Sequence, residues 1–447
     1  MSQETDALNL LTDVIARARR AGADAADAVL VEGASIAHAQ RLGKTEKLER
    51  SESYDLGLRV LFGRRQAIVS SNDRSEAALA GLVERAIAMA RVVPEDPFCG
   101  IADAGEIASG WPDLDTCDPD EPAPETLIAR AKAAEEAALA VPGVTNSEGA
   151  EASWSRAIVA LAASNGFAGA YRDSGHGVSA AVLAGSGTGM ERDYDYSSAV
   201  YAADLQDPTA IGKSAGERAV RRLGARKVAT CKVPIVFDPR VSRSLVGHLI
   251  GAITGPAIAR GTSFLKDSLG KRIFPEAITI VDDPHRKRGL HSKPFDGEGI
   301  ANRRRAIIEK GVLTTWLLDL RSARQLGLKT TGHASRGTSS PPSPSPTNLW
   351  LEPGAVTRDA LIGDIAKGFY VNELMGMGVN GVTGDYSRGA AGFWIENGVL
   401  TYPVSEVTIA GNLKEMYLNL AAADDLEFKT GNDAPTLRVD GMMLAGS

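Results

Sequence analysis

A helix that presents ligands one turn apart can hold a catalytic zinc ion. In this sequence that chemistry would fall on the helix expected after a buried strand at 232–237. A His-Glu-x-x-His arrangement there would bind the metal through two imidazoles and set the glutamate on a metal-bound water. The chain instead reads Gly247-His248-Leu-Ile-Gly251-Ala252, and no His-Glu pair occurs anywhere in it. One histidine cannot supply the three protein groups that catalytic zinc requires, so His248 reads as a helix-face or interface histidine.

The second dense block is Gly378-Val-Asn-Gly-Val-Thr-Gly-Asp-Tyr-Ser-Arg-Gly-Ala-Ala-Gly-Phe-Trp-Ile-Glu-Asn-Gly398. Its glycines suit a backbone that turns sharply or passes close to something. Gly381, Gly384, Asp385, Tyr386, Ser387 and Arg388, with Arg260, Thr262 and Ser263, are candidate peptide-groove or interface residues. No base, nucleophile or metal set accompanies them. A tight antiparallel corner with a bulge, in which Asp385 and Arg388 pair and cap, explains the block better than catalysis does.

Weaker patterns remain. His285 and His291, near Asp296 and Glu298, offer donors for a hard metal, but they sit in a charge-rich loop of the solvated kind. Ser263-Phe-Leu-Lys266 fits a Ser-x-x-Lys template and lacks the companion motifs. Gly185-Ser-Gly-Thr-Gly189 is not a phosphate-cradle spacing and lies among strands, as a hairpin would. Arg221-Arg222, Arg226-Lys227, Arg286-Lys-Arg288 and Arg303-Arg-Arg305 read as exposed basic faces.

The elements that must position these residues follow from periodicity. Leu8, Leu11, Ile15 and Ala18 predict a helix over 6–21. Short strands at 28–31, 35–40, 56–62 and 66–70 follow, with a turn at Gly63-Arg-Arg65, and then a helix over 75–92. The Pro-, Asp- and Gly-rich stretch 93–124 is a connector, and a helix over 125–140 comes next. Glycine-broken alternation over 145–205 predicts an antiparallel meander, and 208–223 is helical. After the buried strand, 240–258 is mostly helical. The remainder is rich in strands and glycine, with an extended polyproline-like loop at 339–346. The expected fold class is α+β: a mixed α/β N-terminal domain at 1–95, a central mixed domain at 120–225, and a larger β-rich C-terminal domain at 230–447 that carries the degenerate metal helix.

Composition narrows the function further. A net charge of −7 argues against broad nucleic-acid binding, which needs a basic face. Cys99, Cys117 and Cys231 form no zinc-ribbon, redox or disulfide spacing. The segment Met1–Asp6 lacks the features of a signal peptide, and the longest apolar stretch, 245–259, is too short to span a bilayer. A cytoplasmic protein is expected.

Several segments together resemble the TldD/PmbA family, in its PmbA (TldE) branch. They are Ile235-Val-Phe-Asp-Pro239, Gly247-His-Leu-Ile-Gly251 with Ala259-Arg-Gly-Thr-Ser-Phe264, Asp296-Gly-Glu-Gly299, the glycine-rich block, Thr408-Ile-Ala-Gly-Asn412 and Pro435-Thr-Leu-Arg-Val439. The resemblance implies a two-subunit peptidase for unfolded or extended peptides. In it, a TldD-type subunit binds zinc through a His-Glu-x-x-x-His helix and a downstream cysteine. Here the first His position falls on Gly247, the Glu position on His248 and the second His position on Ala252, and no cysteine follows Cys231. The implied role is a noncatalytic PmbA/TldE-type subunit with no cofactor of its own, zinc being expected only in a TldD-like partner. The expected partners are that subunit in a heterodimer, a second copy when the chain is isolated, and a peptide substrate, with neither membrane nor nucleic acid. The alternative is a regulatory binding protein of the DNA gyrase modulator type without a peptidase role.

Overall fold

The computed structural model describes residues 2–446. Ser2 caps α1 (Gln3–Arg20) by accepting the Thr5 amide, and Leu11, Val14, Ile15 and Ala18 form its buried stripe. The chain continues through β1 (Ala25–Arg41), β2 (Lys44–Phe62), β3 (Arg65–Ser71), α2 (Glu76–Val92) and α3 (Pro124–Leu139). Then come β4 (Val144–Ala163), β5 (Ala168–Ala184), β6 (Glu191–Ala199) and α4 (Pro208–Arg221). The six strands form one antiparallel sheet in the order β3-β2-β1-β4-β5-β6. The N-terminal and central segments thus share a sheet, joined where β1 pairs β4 from Asp27↔Ala163 to Gln40↔Ala150.

The period of two sorts this sheet into two faces. Even-numbered residues, among them Ala28, Leu30, Ile36, Ala152, Trp154 and Ala160, lie under helices; α1 and α2 cover one end, and α3 and α4 the other. Odd-numbered Val29 and Leu161 point the opposite way and pack with Phe167 and with Phe295 of the C-terminal domain.

The strands are fewer and longer than the sequence predicts. The expected strands at 28–31 and 35–40 are one strand, because Gly33 and Ala34 between them stay in register with Ser53 and Glu52. β2 starts at Lys44, well before the apolar run at 56–62. Residues 44–53 are exposed on both faces, so no alternation of burial marks them. The meander at 145–205 and the glycine-rich hairpin between β5 and β6 are present. Within the proline-rich loop, Ser343–Pro344 makes a short antiparallel pairing with Ala334–Ser335.

β7 (Cys231–Phe237) is a central strand of a second six-stranded sheet. Val233, Ile235, Val236 and Phe237 are all buried, as a strand covered on both faces requires. It pairs in parallel with strand Lys367–Met375 and antiparallel with strand Leu437–Ala445. Strands Asp385–Glu396 and Val399–Asn412 extend the sheet as a hairpin. Their turn, Asn397-Gly398, has positive φ at both residues (49° and 77°), the conformation that Asn-Gly accepts most readily. α5 (Pro239–Ile253) lies between this sheet and a smaller five-stranded one. Leu245, Leu249 and Ile253 share a core with Phe237 and Phe369 of the first and Ile280, Ile308 and Leu349 of the second. Among the described residues, no helix is long and apolar enough to cross a membrane.

The sheet formed by β1–β6 is locked to the C-terminal domain by a buried charge cluster. Register places Arg59 of β2 opposite Asp27 of β1, and its Nε lies 3.0–3.1 Å from both carboxylate oxygens. Arg336 reaches the same carboxylate from the C-terminal domain. Burial alone would raise the Asp27 pKa, but the Arg336 and Arg59 guanidiniums outweigh it and hold the group below the usual carboxylate range. Nearby, Asp296 accepts the Glu298, Ile300 and Ala334 amides, and Glu298 accepts the Leu320 amide. Burial, and then the adjacent Asp296 carboxyl, push Glu298 well above its ordinary pKa.

Asp27→Ala leaves two buried guanidiniums without an anion and is expected to cost about 3–5 kcal/mol in urea unfolding. Glu298→Gln acts in the other direction. A carboxyl with a raised folded pKa contributes fully below its unfolded pKa, and that stability is lost as pH rises through the folded value. The variant should therefore match wild type near pH 4 and exceed it by about 1–3 kcal/mol near pH 9. A variant less stable than wild type at the higher pH contradicts this assignment.

Candidate functional site

The candidate site is built where β7 runs into α5. Asp238 ends the strand and caps the helix by accepting the Arg240 amide at 3.0 Å, while Pro239 fills the first helical position, where no amide is needed. The apolar stripe Val241, Leu245, Leu249 and Ile253 turns into the core. Arg243, Ser244, Gly247 and His248 are then left on the opposite, partly exposed side.

The structure brings part of the two sequence blocks together. His248 meets Tyr386 edge-on, with ring centroids 6.0 Å apart at 73°. His248 Nε2 and the Tyr386 hydroxyl are buried with no hydrogen-bond partner among the described residues. Burial and the Arg388 guanidinium hold the His248 pKa below its ordinary value, so the ring is neutral at pH 7. Ala252 is buried, and its carbonyl accepts the Ser263 hydroxyl at 2.6 Å. That hydroxyl also accepts the Leu265 amide, so Ser263 is a structural brace and not a nucleophile; Lys266 is exposed. Arg260 and Thr262 are exposed beside it, and the Phe264 amide bonds the Gly381 carbonyl at 2.9 Å.

Asp385 and Arg388 do not pair, contrary to the expectation for a capped corner. Asp385 accepts the Thr383 hydroxyl at 2.6 Å and the Asn412 amide at 3.0 Å, and these two bonds lower its pKa. Arg388 Nε donates to the Met375 carbonyl at 3.2 Å. Successive residues of a strand face opposite ways, and these two are three positions apart. Ser387 is exposed, and its amide bonds the Gly378 carbonyl. The expected bulge is present, since the register of the hairpin shifts between Ala390 and Gly392. His285 bonds Asn302 at 2.7 Å, while Asp296 and Glu298 turn into the buried cluster, so this loop gathers no donor set.

A cleft of about 440 Å³ lies between α5, β6 and strand Lys367–Met375, with Gly247 and Arg388 on its wall. A Cβ on Gly247 would meet only Asn432 Nδ2, at 3.8 Å, so this position opens into the cleft. Most of the charges around it are already paired. Asp193 binds Arg240 at 2.7 Å and Arg222 at 3.7 Å, and Arg222 also reaches Glu191 and Glu373. Arg222 is thus an ion-paired wall of the cleft, not the solvated face read from Arg221-Arg222. Arg243 and Arg388 line the same space and make no ion pair among the described residues. Sequence spacing carries no signal for this wall, because its members come from five separate elements.

Zinc does not fit these residues. Gly247 and Ala252 offer no donor, His248 packs against Tyr386, and among the described residues no three His, Cys, Asp or Glu side chains converge as a metal site would need. Among the described residues, the lining of the cleft supplies no nucleophile–base pair.

This fold, with its strand-to-helix site at β7 and α5, is that of a metallopeptidase family. Family models described as PmbA/TldA metallopeptidase domain 1, central domain and C-terminal domain match residues 26–90, 117–223 and 230–446, and the chain belongs to this PmbA/TldD family. It is 40% identical to the metalloprotease PmbA of Escherichia coli O157:H7, over 95% of this chain and 92% of that protein. It is 35% identical to a metalloprotease PmbA homolog of Haemophilus influenzae, over 100% and 97%. A Bacteroides thetaiotaomicron structure described as a putative modulator of DNA gyrase superposes with a TM-score of 0.92 at 30% identity, each chain fully covered. TldE of Thermococcus kodakarensis shares the fold, with a TM-score of 0.87 at 18% identity over 98% of this chain and 100% of that one.

The glycines of the block are not equivalent. A Cβ on Gly392 would lie 1.9 Å from the Tyr370 carbonyl oxygen, whereas one on Gly381 meets nothing within 4 Å. Gly392→Ala is expected to lower stability by at least about 2 kcal/mol, and Gly381→Ala to stay within about 1 kcal/mol of wild type, by urea unfolding. Equal effects at the two positions contradict this division.

Proposed function

We propose that this chain is a noncatalytic PmbA/TldE-type subunit of a cytoplasmic zinc metallopeptidase that acts on unfolded or extended peptides. The observation that carries the reading is the donor-free wall of α5. At the positions where the resemblance puts ligands, Gly247 and Ala252 have none, and His248 is packed edge-on to Tyr386. Zinc and the activated water then belong to a TldD-like partner in a heterodimer, because neither can be assembled on these side chains. The cleft with Arg243 and Arg388 supports a share in holding the peptide, since an ordered substrate backbone must precede the chemistry.

Cleavage of an unfolded peptide should be absent with the chain alone. It should appear with a subunit that carries His-Glu-x-x-x-His and vanish again on chelation. Stoichiometric zinc and cleavage by the chain alone would sink the proposal. The gyrase-modulator reading rests on the name carried by the Bacteroides structure. It is favoured instead if the chain retains gyrase and yields no peptidase activity with any such subunit.

A further inference from the structure

A second hollow lies on the far face of the C-terminal sheet. α5 packs against one face of that sheet through Phe237 and Phe369, and Val236, Tyr370, Phe393 and Ile395 turn to the other. There α4 leaves a recess of about 170 Å³ beside Phe393 and Leu400. It is smaller than the roughly 300–1,000 Å³ pockets that take drug-sized ligands, so it admits a small molecule or the end of a chain.

Four arginines and one carboxylate line it. Arg218 and Arg221, three apart on the last turn of α4, share a face. Asp238 and Arg240 come from the start of α5, and Arg358 from the helix Arg358–Gly363. Three of these cations are already answered. Arg240 binds Asp193 at 2.7 Å, Arg358 binds Asp359 at 3.1 Å, and Arg218 lies 3.7 Å from Asp195. Asp238 is engaged too, accepting the Tyr370 hydroxyl at 2.8 Å and the Arg240 amide at 3.0 Å. Arg221 makes no ion pair among the described residues. Its guanidinium lies over the Phe393 ring, 5.0 Å from the centroid, which steadies it beside the recess with its donors free. One unanswered guanidinium calls for one negative charge. The adjoining hollow, which shares Arg218 and Arg358, brings Asp425 and Glu427, and these disfavour a dianion.

Asn372 sets a second demand. The register of strand Lys367–Met375 shifts between Val371 and Glu373, and Asn372 is the bulged residue. Its Oδ1 is buried without a hydrogen-bond partner among the described residues, and it lines the recess. A buried acceptor left empty is costly, so a ligand that donates to it gains. Phe393 and Leu400 supply an apolar wall. The recess thus asks for a singly charged pair of oxygens, an N–H donor next to it and a small apolar group. The carboxyl end of an apolar amino acid carries all three. Inorganic phosphate lacks the apolar group and brings the second charge that Asp425 and Glu427 disfavour.

We propose that this recess binds the carboxyl end of an apolar amino acid, with Arg221 on the carboxylate, Asn372 on the adjoining N–H, and Phe393 and Leu400 against the side chain. A free amino acid and the last residue of a peptide offer this same chemistry. The site needs neither zinc nor a second subunit, so it stands apart from the peptidase reading.

Isothermal titration of the full chain with N-acetyl-leucine, leucine, N-acetyl-leucinamide and inorganic phosphate tests this. The preferred acid should bind at about 0.1–1 mM, as its size allows. The amide, which lacks the charge, should bind at least about tenfold more weakly, and phosphate no better than the amide. Arg221→Gln should weaken the acid at least about tenfold. Arg226→Gln removes a guanidinium that stacks on Tyr402 and does not line the recess, and it should change nothing. Both positions are exposed, and urea unfolding checks that the variants fold. Tighter binding of N-acetyl-leucine makes the peptide end the source, and tighter binding of leucine the free amino acid; either supports the site. No binding of either acid at about 10 mM, equal binding of acid and amide, or an acid affinity indifferent to Arg221→Gln overturns the proposal.

Discussion

One carboxylate sets the relation between the two halves of this protein. Asp27 sits on the face of the first sheet that helices do not cover, and it is shared by Arg59 from the neighbouring strand and Arg336 from the C-terminal domain. An ion pair this deep is tolerable only when each charge is met, which fixes the seat of one body on the other. Phe167, Trp111, Tyr171 and Phe295 pack edge-to-face and tilted around the same contact and fill the space beside it. With that seat fixed, β6 and α4 stand against α5, and the cleft exists because they do.

The cleft is set by the junction of β7 and α5. The strand, the Asp-Pro cap and the buried stripe of the helix hold Gly247 and His248 at its side. The side of α5 toward the open space carries Gly247, where a Cβ would meet only Asn432, and His248, which packs edge-on against Tyr386. The core stripe of α5 is Leu245, Leu249 and Ile253, while Gly247 and His248 lie on its partly exposed side. Packing constrains Leu245 and Leu249, while a side chain at position 247 would meet only Asn432.

Much of this was legible in the sequence. The helices, β7, the meander, the α+β class and the family were read from apolar periodicity, Asp-Pro and Asn-Gly signals and long motifs. That Gly247 and Ala252 carry no donor is plain from the sequence itself. Three features were not. The strand half at 44–53 is polar on both faces, so burial leaves no pattern in it. The Asp385–Arg388 pairing failed because closeness along the chain suggested it, and strand geometry sends these two to opposite sides. The arginine wall of the cleft is assembled from elements distant in the chain, a juxtaposition that only the fold produces.

The connectivity of the second sheet bears on how the chain is made. β7 lies between strand Lys367–Met375 and strand Leu437–Ala445, so its two neighbours leave the ribosome long after it does. The first sheet is complete by β6 and can close while synthesis continues. The second cannot: Ile235 and Phe237 must wait for partners more than a hundred residues downstream, with their apolar faces uncovered in the meantime. For this protein, maturation is staged by topology. One half is a finished platform onto which the other condenses, and the interval between the two is when a nascent chain has most need of a chaperone.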